Sequence, residues 1–303
     1  MKRFIEKSYG IEMTGISPLP RGFYGEVYRV DTADRSYAAK LDRWRTHSAE
    51  FRESLEAVEL ICKSGIDFVP ALIRGANGER CFSYDGGVLA LFEFTEGVHT
   101  EDVPAEALFE RLGRVYSRVP AAQKSAEELF TPEAYERVLC LRKRLKDAGE
   151  IRPDAVLAKY SVIIGDRAAK LKLFMERCRV KKWRTVMTHG DAGGNCILGK
   201  NGISLIDWDT AKISVPERDA WAHMAGSGAL GRIEAGLAAG GYEYRPDSDA
   251  MGFFANSWFF EYIGNYLQCA ADKPECSGEM TDMLDDYFGC WIFDVLKRAD
   301  ELI

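Results

Sequence analysis

The chain has 303 residues, of which 47% are hydrophobic and 29% are charged, a composition typical of a globular protein and unlike that of a disordered chain. Acidic residues (47) outnumber basic ones (40), which argues against binding to a nucleic-acid backbone. The sequence has no apolar run of membrane-spanning length, no signal-peptide core and no C-x-x-C pair among its eight cysteines. We therefore expect a cytoplasmic protein with reduced thiols that binds neither nucleic acid nor membrane.

The first third of the chain reads as strands with one helix. Residues 24–30 and 36–41 are short β-like runs, and the polar segment between them is typical of a hairpin turn. Residues 48–64 lack glycine and proline and carry apolar side chains three or four positions apart, which predicts a helix with one buried face. An apolar run over residues 88–94 predicts a buried strand.

The middle of the chain, residues 100–180, has a helical pattern punctuated by prolines, and its basic stretch at 142–146 is typical of a solvated helix face. The pattern then changes. A short apolar strand at 185–188 leads into His-Gly-Asp-Ala-Gly-Gly-Asn at 189–195. Two further strands, 196–198 and 203–206, are joined by a turn containing Asn-Gly, which tolerates positive φ. The sequence becomes helical again from about residue 217.

The hairpin predicted at 196–206 places oxygen-bearing side chains at both of its ends. Asp191 and Asn195 precede it, and Asp207 follows it, so these three side chains should converge. A carboxylate and an amide oxygen suit Mg²⁺, which usually completes its shell with phosphate and water. A second carboxylate can accept a hydroxyl proton. This combination indicates transfer of a phosphoryl group to an alcohol.

The pattern His-Gly-Asp-x-x-x-Asn, followed by a hairpin and Leu-Ile-Asp-Trp-Asp, resembles the catalytic and metal-binding loops of the aminoglycoside phosphotransferase family. These enzymes are small-molecule kinases with a protein-kinase-like fold. The segment at 216–221 is similar to the Pro-x-x-Asp segment of that family, and residues 22–28 are similar to its glycine-containing phosphate loop. The resemblance extends over residues 15 to 225.

The resemblance implies a role for each matching residue of the catalytic segment. Asp191 would be the catalytic base or hydroxyl-positioning group, and Asn195 and Asp207 would bind Mg²⁺. His189 would be a buried brace for the catalytic loop. Asp209 has alternatives: a second metal contact, a substrate contact or a structural ion pair.

The resemblance also implies an ATP site built by the N-terminal third. Gly22 and Gly25 would let backbone N–H groups approach the phosphates, and Lys40 would hold the α- and β-phosphates. The hinge would bind adenine through the carbonyl of Glu93 and the N–H of Thr95. Glu53 on the predicted helix would orient Lys40, with Glu56, one turn away, as the alternative.

One departure from the family pattern concerns the catalytic loop. Kinases place four residues between the catalytic Asp and the metal-binding Asn, whereas three separate Asp191 from Asn195 here. We expect Gly193 and Gly194 to take positive φ and close a tighter turn, so that Asn195 still reaches the metal.

We therefore predict an α+β, protein-kinase-like two-lobed fold. The N-lobe, residues 1–95, would be an antiparallel sheet plus a helix, and the C-lobe, residues 96–303, would be mostly helical, with ATP bound between them. The predicted function is ATP- and Mg²⁺-dependent phosphorylation of a small-molecule hydroxyl. The alternatives are a metabolic kinase for choline, homoserine, a methylthiopentose or a fructosamine, and a nucleotide-binding pseudokinase. The oligomeric state is left open.

Acidic residues are concentrated at the C-terminal end of the sequence. Residues 241–303 contain 13 acidic and 4 basic residues together with many aromatic rings. Such a surface attracts cations, which favours a cationic acceptor such as an aminoglycoside or aminocyclitol. We expect its contacts among Asp209, Glu261, Trp258 and Tyr262. The alternative is a pair of amphipathic helices with solvated carboxylates.

Overall fold

The computed structural model describes residues 1–20, 25–44 and 47–302. The chain forms two compact units, each assembled from three segments. Unit 1 comprises Met1–Ala121, Val186–Ile213 and Ala235–Glu243. Unit 2 comprises Ala122–Thr185, Ser214–Glu234 and Tyr244–Ile303. The hairpin predicted at residues 196–206, called here the catalytic hairpin after its predicted role, therefore belongs to the same unit as the N-terminal third.

An antiparallel sheet forms the first half of unit 1. Among the described residues, its strands are β1 (Gly15–Pro18), β2 (Gly25–Asp31), β3 (Ser36–Asp42), β4 (Leu72–Ile73), β5 (Phe82–Tyr84) and β6 (Gly87–Glu93). The strand order is β1-β2-β3-β6-β4, with β5 also paired to β6. The hairpin predicted from residues 24–41 is thus confirmed as β2 and β3, and the predicted strand at 88–94 is β6.

Two helices pack on opposite faces of this sheet because side chains alternate along each strand. Helix α1 (Lys2–Tyr9) buries Ile5 and Tyr9 in a cluster with Leu89 and Leu91. Helix α2 (Ser48–Lys63), which was predicted, packs Phe51 and Leu55 against Val88 and Ala90, the neighbouring positions of β6. Helix α1 was not predicted, although its buried residues stand four apart, the spacing of one helix face.

The predicted catalytic hairpin forms a second small sheet with a strand that the sequence did not reveal. Strands β9 (Cys196–Gly199) and β10 (Gly202–Leu205) pair as expected, and β7 (Val98–Thr100) pairs with β9 on the other side. A further pair joins β8 (Val186–Thr188) to β11 (Lys212–Ser214). The pairing of β7 with β9 places the segment after residue 95 in unit 1, together with α3 (Ala105–Arg118).

Unit 2 is helical. Among the described residues its α-helices are α4 (Ala126–Leu129), α5 (Glu133–Asp147), α6 (Arg152–Lys159), α7 (Ser161–Arg179), α8 (Glu217–Ala220), α10 (Ser248–Asp272), α11 (Ser277–Tyr287) and α12 (Ile292–Asp300). Helix α9 (Ala229–Ala239) begins in unit 2 and ends in unit 1. The long helix α10 lies at the centre and packs against α5, α7, α11 and α12. Across the described residues, no helix is both long and apolar enough to cross a membrane. The architecture is the predicted α+β, protein-kinase-like fold.

Candidate active site

A cavity of about 590 Å³ lies within unit 1, bounded by the sheet, by α2 and by the catalytic hairpin. Six of the residues predicted from the sequence line it: Lys40, Glu93, Thr95, Asn195, Asp207 and Asp209. Gly22 lies outside the described residues. Gly25 is buried at the start of β2, where an added Cβ would come within 2.9 Å of the Leu41 carbonyl oxygen. Its closeness to β3 explains a glycine there without reference to a ligand.

The alternation of side chains along β3 directs Lys40 into the cavity. Ala39 and Leu41 are buried on the α1 face of the sheet, whereas Ala38 and Lys40 line the cavity. The ammonium group of Lys40 forms ion pairs with the carboxylates of Asp207 and Asp209. Burial alone would lower the pKa of Lys40, but the two carboxylates raise it overall. Lys40 therefore carries its positive charge inside the cavity.

The carboxylate partners of Lys40 differ from those expected. Glu53 and its alternative Glu56 are both exposed on α2, and Glu56 lies 3.6 Å from Arg80. The reason is helical periodicity, because the α2 positions that line the cavity are Ser54, Leu55 and Val58. The expected pairing of Lys40 with a glutamate of α2 is thus replaced by pairing with two aspartates that follow β10. Whether Glu53 contributes to nucleotide binding remains a prediction.

Asp207 and Asp209 share one ammonium group but differ in electrostatic environment. Burial would raise the pKa of Asp207, yet Lys40 holds it below its ordinary value. Burial, together with the negative charge of Asp207, raises the pKa of Asp209 to about 7. Asp207 also has a φ of 62°, in the left-handed region that a non-glycine residue rarely adopts. Such backbone strain is concentrated at functional sites in proteins.

His189 fixes the loop that carries Asp191. The ring is fully buried, its Nε2 lies 2.8 Å from the carbonyl oxygen of Ile206, and the Asp191 N–H donates to its Nδ1 over 3.2 Å. A carbonyl only accepts and an amide N–H only donates, so these partners select a neutral ring with its proton on Nε2. The ring also packs against Trp208, with 4.5 Å between centroids. This geometry matches the bracing role expected of His189.

The side chain of Asn195 is anchored to Asp191 across the short loop. Its amide nitrogen donates to the Asp191 backbone oxygen at 2.7 Å and to Oδ2 of Asp191 at 3.2 Å. Its backbone oxygen accepts a bond from the Ile206 N–H at 3.0 Å, next to Asp207. The expectation that Gly193 and Gly194 take positive φ was wrong. Gly190 takes it instead, with a φ of 95°, while the turn at 193–194 is closed by a hydrogen bond from the Asn195 N–H to the Ala192 carbonyl oxygen at 3.3 Å.

The donor atoms at this edge of the cavity are hard oxygens. With the Asn195 amide nitrogen committed to Asp191, its Oδ1 is the atom that can meet a metal, and Asp207 offers a carboxylate. This donor set fits Mg²⁺ that takes its other ligands from phosphate and water. Among the described residues, no group of three or more His, Cys, Asp and Glu side chains could hold a metal without such help.

Much of the cavity lining is apolar and includes Val27, Ala38, Phe92, Ile197 and Ile206. Glu93, the last residue of β6, and Thr95, two residues further on, also line the cavity. Sequence reasoning missed one polar residue here. His99 of β7 also lines the cavity, and only the pairing of β7 with β9 brings it there.

The sequence profile described as "Phosphotransferase enzyme family" matches residues 15–254. The chain belongs to this phosphotransferase family. The match spans both the N-terminal sheet and the catalytic hairpin, and it confirms the resemblance drawn from the motifs. The chain is accordingly a small-molecule phosphotransferase. Among curated proteins, none matches this sequence.

Solved structures of kinases share the fold of this family member. A spectinomycin phosphotransferase in complex with ADP and spectinomycin superposes with a TM-score of 0.73 at 16% identity, covering 100% of this chain and 98% of that one. A microcompartment-associated aminopropanol kinase gives 0.65 at 15% identity, with 99% and 95% covered. A choline kinase from Streptococcus pneumoniae gives 0.54 at 13% identity, with 99% and 97% covered. At these identities the likeness concerns the fold.

Proposed function

We propose that this phosphotransferase uses ATP and Mg²⁺ to transfer the γ-phosphoryl group to a hydroxyl of a small cationic acceptor. The observation that carries the proposal is the meeting of Lys40, Asn195 and Asp207 in one cavity beside the braced Asp191 loop. A cation, two oxygen ligands and a carboxylate are the groups that phosphoryl transfer requires.

The apolar lining of the cavity suits a purine base. The N–H of Glu93 already donates to the Ala71 carbonyl oxygen at 2.8 Å, which supports assigning the carbonyl of Glu93, rather than its N–H, to adenine. Thr95, two residues further on, also lines the cavity and supplies the complementary N–H in this proposal. Val27 and Ile206 contribute apolar surface for the faces of the ring.

The polar residues that line the cavity suit the phosphates. Asn195 Oδ1 and the Asp207 carboxylate would hold Mg²⁺, and Lys40 would contact phosphate oxygens directly. When bound, Mg²⁺ neutralises charge that develops on the phosphate oxygens. Asp191 is exposed at the loop, so its carboxylate is open to an incoming hydroxyl, whose proton it would accept or orient. No nucleophilic side chain of the protein is required, and transfer is direct.

The C-terminal segment, residues 241–303, offers an acceptor less negative charge than its sequence suggests. Many acidic residues of the C-terminal segment pair with basic residues of helices α5 to α7 and the turn after α7. These pairs include Glu261 with Arg137, Asp285 with Lys159, Asp300 with Arg167, and Asp247 with Lys181. The segment's charge is therefore largely neutralised within the unit. Glu261 and Asp209, two of the expected acceptor contacts, already have cationic partners.

Aromatic rings of unit 2 give the stronger support for a cation. Trp221 is stacked between Trp258 and Trp291, with centroid distances of 5.8 and 5.9 Å, and Trp258 lies 5.8 Å from Tyr262. Trp291 is 51% exposed, so this row of indoles reaches the surface of the unit. Ring faces attract ammonium groups by about 0.5–2 kcal/mol per contact. Whether Trp258 and Tyr262 contact the acceptor remains a prediction.

The second candidate is a metabolic kinase of the same fold that acts on an amino alcohol. It is favoured by the names of two structural neighbours, an aminopropanol kinase and a choline kinase, since both compounds are amino alcohols. Aminoglycosides and amino alcohols share a positive charge and a hydroxyl, so charge alone does not separate them.

The decisive experiment is an ATP-consumption screen over aminoglycosides, aminocyclitols, amino sugars, choline, aminopropanol and homoserine, with uncharged polyols as matched controls. The proposal expects a charged acceptor whose KM rises with salt, because screening weakens attraction to exposed charges. A best substrate that is neutral or anionic, with a KM insensitive to salt, would overturn the cationic assignment. Consumption with an antibiotic rather than a small amino alcohol decides between the two candidates.

A further inference from the structure

Lys40 is held in the cavity by two carboxylates that are two residues apart in the sequence. We infer that Asp209 is the positioning residue for Lys40, in the role that the family resemblance implies for Glu53 of α2. The inference deepens the proposed function and rests on it, since Lys40 is taken to contact the nucleotide phosphates.

The two carboxylates that contact Lys40 differ in how accessible they are to another ligand. The side chain of Asp207 is 37% exposed, whereas that of Asp209 is 9% exposed. In the proposed function Asp207 binds the metal, and a carboxylate engaged by a divalent cation holds an ammonium group weakly. Asp209 is less accessible to a metal because its side chain is largely buried. It is therefore the carboxylate that keeps Lys40 in place when nucleotide and metal are bound.

Helix α2 presents no acidic side chain on the surface that meets the cavity. The lining positions are Ser54, Leu55 and Val58. The one glutamate of α2 that is buried, Glu59, is paired with Arg74 at 2.6 Å and with Arg80 at 2.9 Å. Glu53 is exposed. A charged pair that restrains a lysine is effective when it is shielded from water, which Asp209 is and Glu53 is not.

The position of Asp209 is itself fixed by the backbone around it. Trp208 is buried between the two aspartates and donates from its indole nitrogen to the Leu205 carbonyl oxygen at 3.1 Å. The Thr210 hydroxyl donates to the His189 carbonyl oxygen at 3.0 Å. With both neighbours anchored, Asp209 presents its carboxylate to Lys40 from a rigid segment, as a positioning residue must.

A double-mutant cycle on ADP binding tests the inference without relying on turnover. Calorimetry would compare the wild type, D209N, K40M and the double variant, each with ADP at saturating Mg²⁺. We expect D209N to weaken ADP binding at least about fivefold when Lys40 is present and not to weaken it in the K40M background, because contacting residues couple. E50Q, an exposed change on the same helix, is the matched control and should leave affinity within about twofold, while E53Q tests the replaced partner of Lys40.

Two outcomes of this cycle would overturn the inference. One is an equal effect of D209N with and without Lys40. The other is a loss of affinity in E53Q as large as that expected of D209N. A wild type that binds neither ADP nor ATP would instead refute the proposed function, so the two failures are distinguishable.

Metal dependence separates a positioning role from a metal-binding one. D209N should leave the concentration of Mg²⁺ that half-saturates ADP binding unchanged, and D209E should restore most of the lost affinity. A large rise in the Mg²⁺ requirement in D209N would assign Asp209 to the metal and contradict the inference.

The urea midpoints of K40M and K40M/D209N provide a second test, which applies even if D209N folds poorly. K40M leaves buried carboxylates without their cation, so the double variant K40M/D209N should unfold at a higher urea concentration than K40M alone. A lower midpoint for the double variant would contradict the pairing.

Discussion

The peptide N–H of Asp191 donates a hydrogen bond to Nδ1 of His189 over 3.2 Å, while Nε2 of the same ring lies 2.8 Å from the Ile206 carbonyl oxygen. One buried ring thus ties the loop of the proposed catalytic carboxylate to the end of the hairpin that carries Asp207. The distance between the proposed catalytic carboxylate and the proposed metal ligand depends on this ring.

Replacing His189 by Leu should therefore reduce both stability and turnover. Two polar groups lose their partner at about 1–3 kcal/mol each, so the free energy of unfolding should fall by about 2–6 kcal/mol. We expect kcat to fall at least about tenfold, since a displacement near 1 Å is costly in catalysis. Urea unfolding and steady-state kinetics are the measurements. Thr210→Val, which removes the bond to the His189 carbonyl oxygen, is the milder comparison, and an unchanged kcat in folded His189→Leu would contradict the bracing role.

Asp191→Asn should separate chemistry from nucleotide binding. Asp191 lies outside the lining of the cavity, so ATP affinity should stay within a few fold. Turnover should fall by about 10² or more, which is typical when a proton acceptor is removed. Calorimetry and acceptor-saturated rates measure the two quantities. The exposed Asp67, changed to Asn, controls for the loss of one charge. Lost ATP binding with normal turnover at saturation would exchange the roles assigned to Asp191 and Asp207.

Asp207→Ala should abolish the dependence of nucleotide binding on Mg²⁺. The proposed metal would lose its one charged protein ligand, so adding Mg²⁺ should no longer strengthen ADP binding. Calorimetry with and without Mg²⁺ provides the measurement. Asp85 is a suitable control because it also has a positive φ, 47°, but pairs with Arg43 at 2.7 Å away from the cavity lining. A Mg²⁺ effect of wild-type size in Asp207→Ala would mean that another residue binds the metal.

The predictable parts of the fold were those encoded locally. The β2–β3 hairpin, α2 and the β9–β10 hairpin follow from side-chain period and turn residues within each segment. Strand β7 did not, because three residues carry too little pattern and its partner β9 lies about a hundred positions away. The contribution of His99 to the cavity was hidden for the same reason.

The partner of Lys40 shows a different limit of sequence reasoning. Motif order places Lys40 and Glu53 in the nucleotide site, but which helix residue faces the cavity depends on the rotation of α2 about its axis. That rotation is set by the packing of Phe51 and Leu55 against β6, and it leaves Glu53 exposed. The local sequence does not encode how two elements pack together in space.

Glu217 should make stability depend on pH. It is fully buried and accepts bonds from the Asp247 N–H at 2.7 Å and the Tyr244 hydroxyl at 2.9 Å. Burial raises its pKa from 4.5 to about 7. Between these pH values the unfolded chain releases a proton that the folded protein retains, so rising pH favours unfolding. The stabilisation is complete below about pH 4.5 and is lost by about pH 7.

Glu217→Gln should remove this contribution, which amounts to about 3 kcal/mol across the window. Urea unfolding at a series of pH values, taken as the difference between wild type and variant, isolates it from the other carboxylates. Glu279→Gln, an exposed change on α11, should leave the pH dependence unaltered. Parallel curves for the wild type and Glu217→Gln would contradict the assignment.

Release of inorganic phosphate from ATP in the absence of an acceptor tests the proposed kinase activity most directly, because water can replace the missing alcohol at a low rate. The account predicts slow hydrolysis by the wild type that requires Mg²⁺ and disappears in Asp191→Ala, while ADP still binds to that variant. ATP binding without any Mg²⁺-dependent hydrolysis, or hydrolysis unaffected by Asp191→Ala, would contradict it.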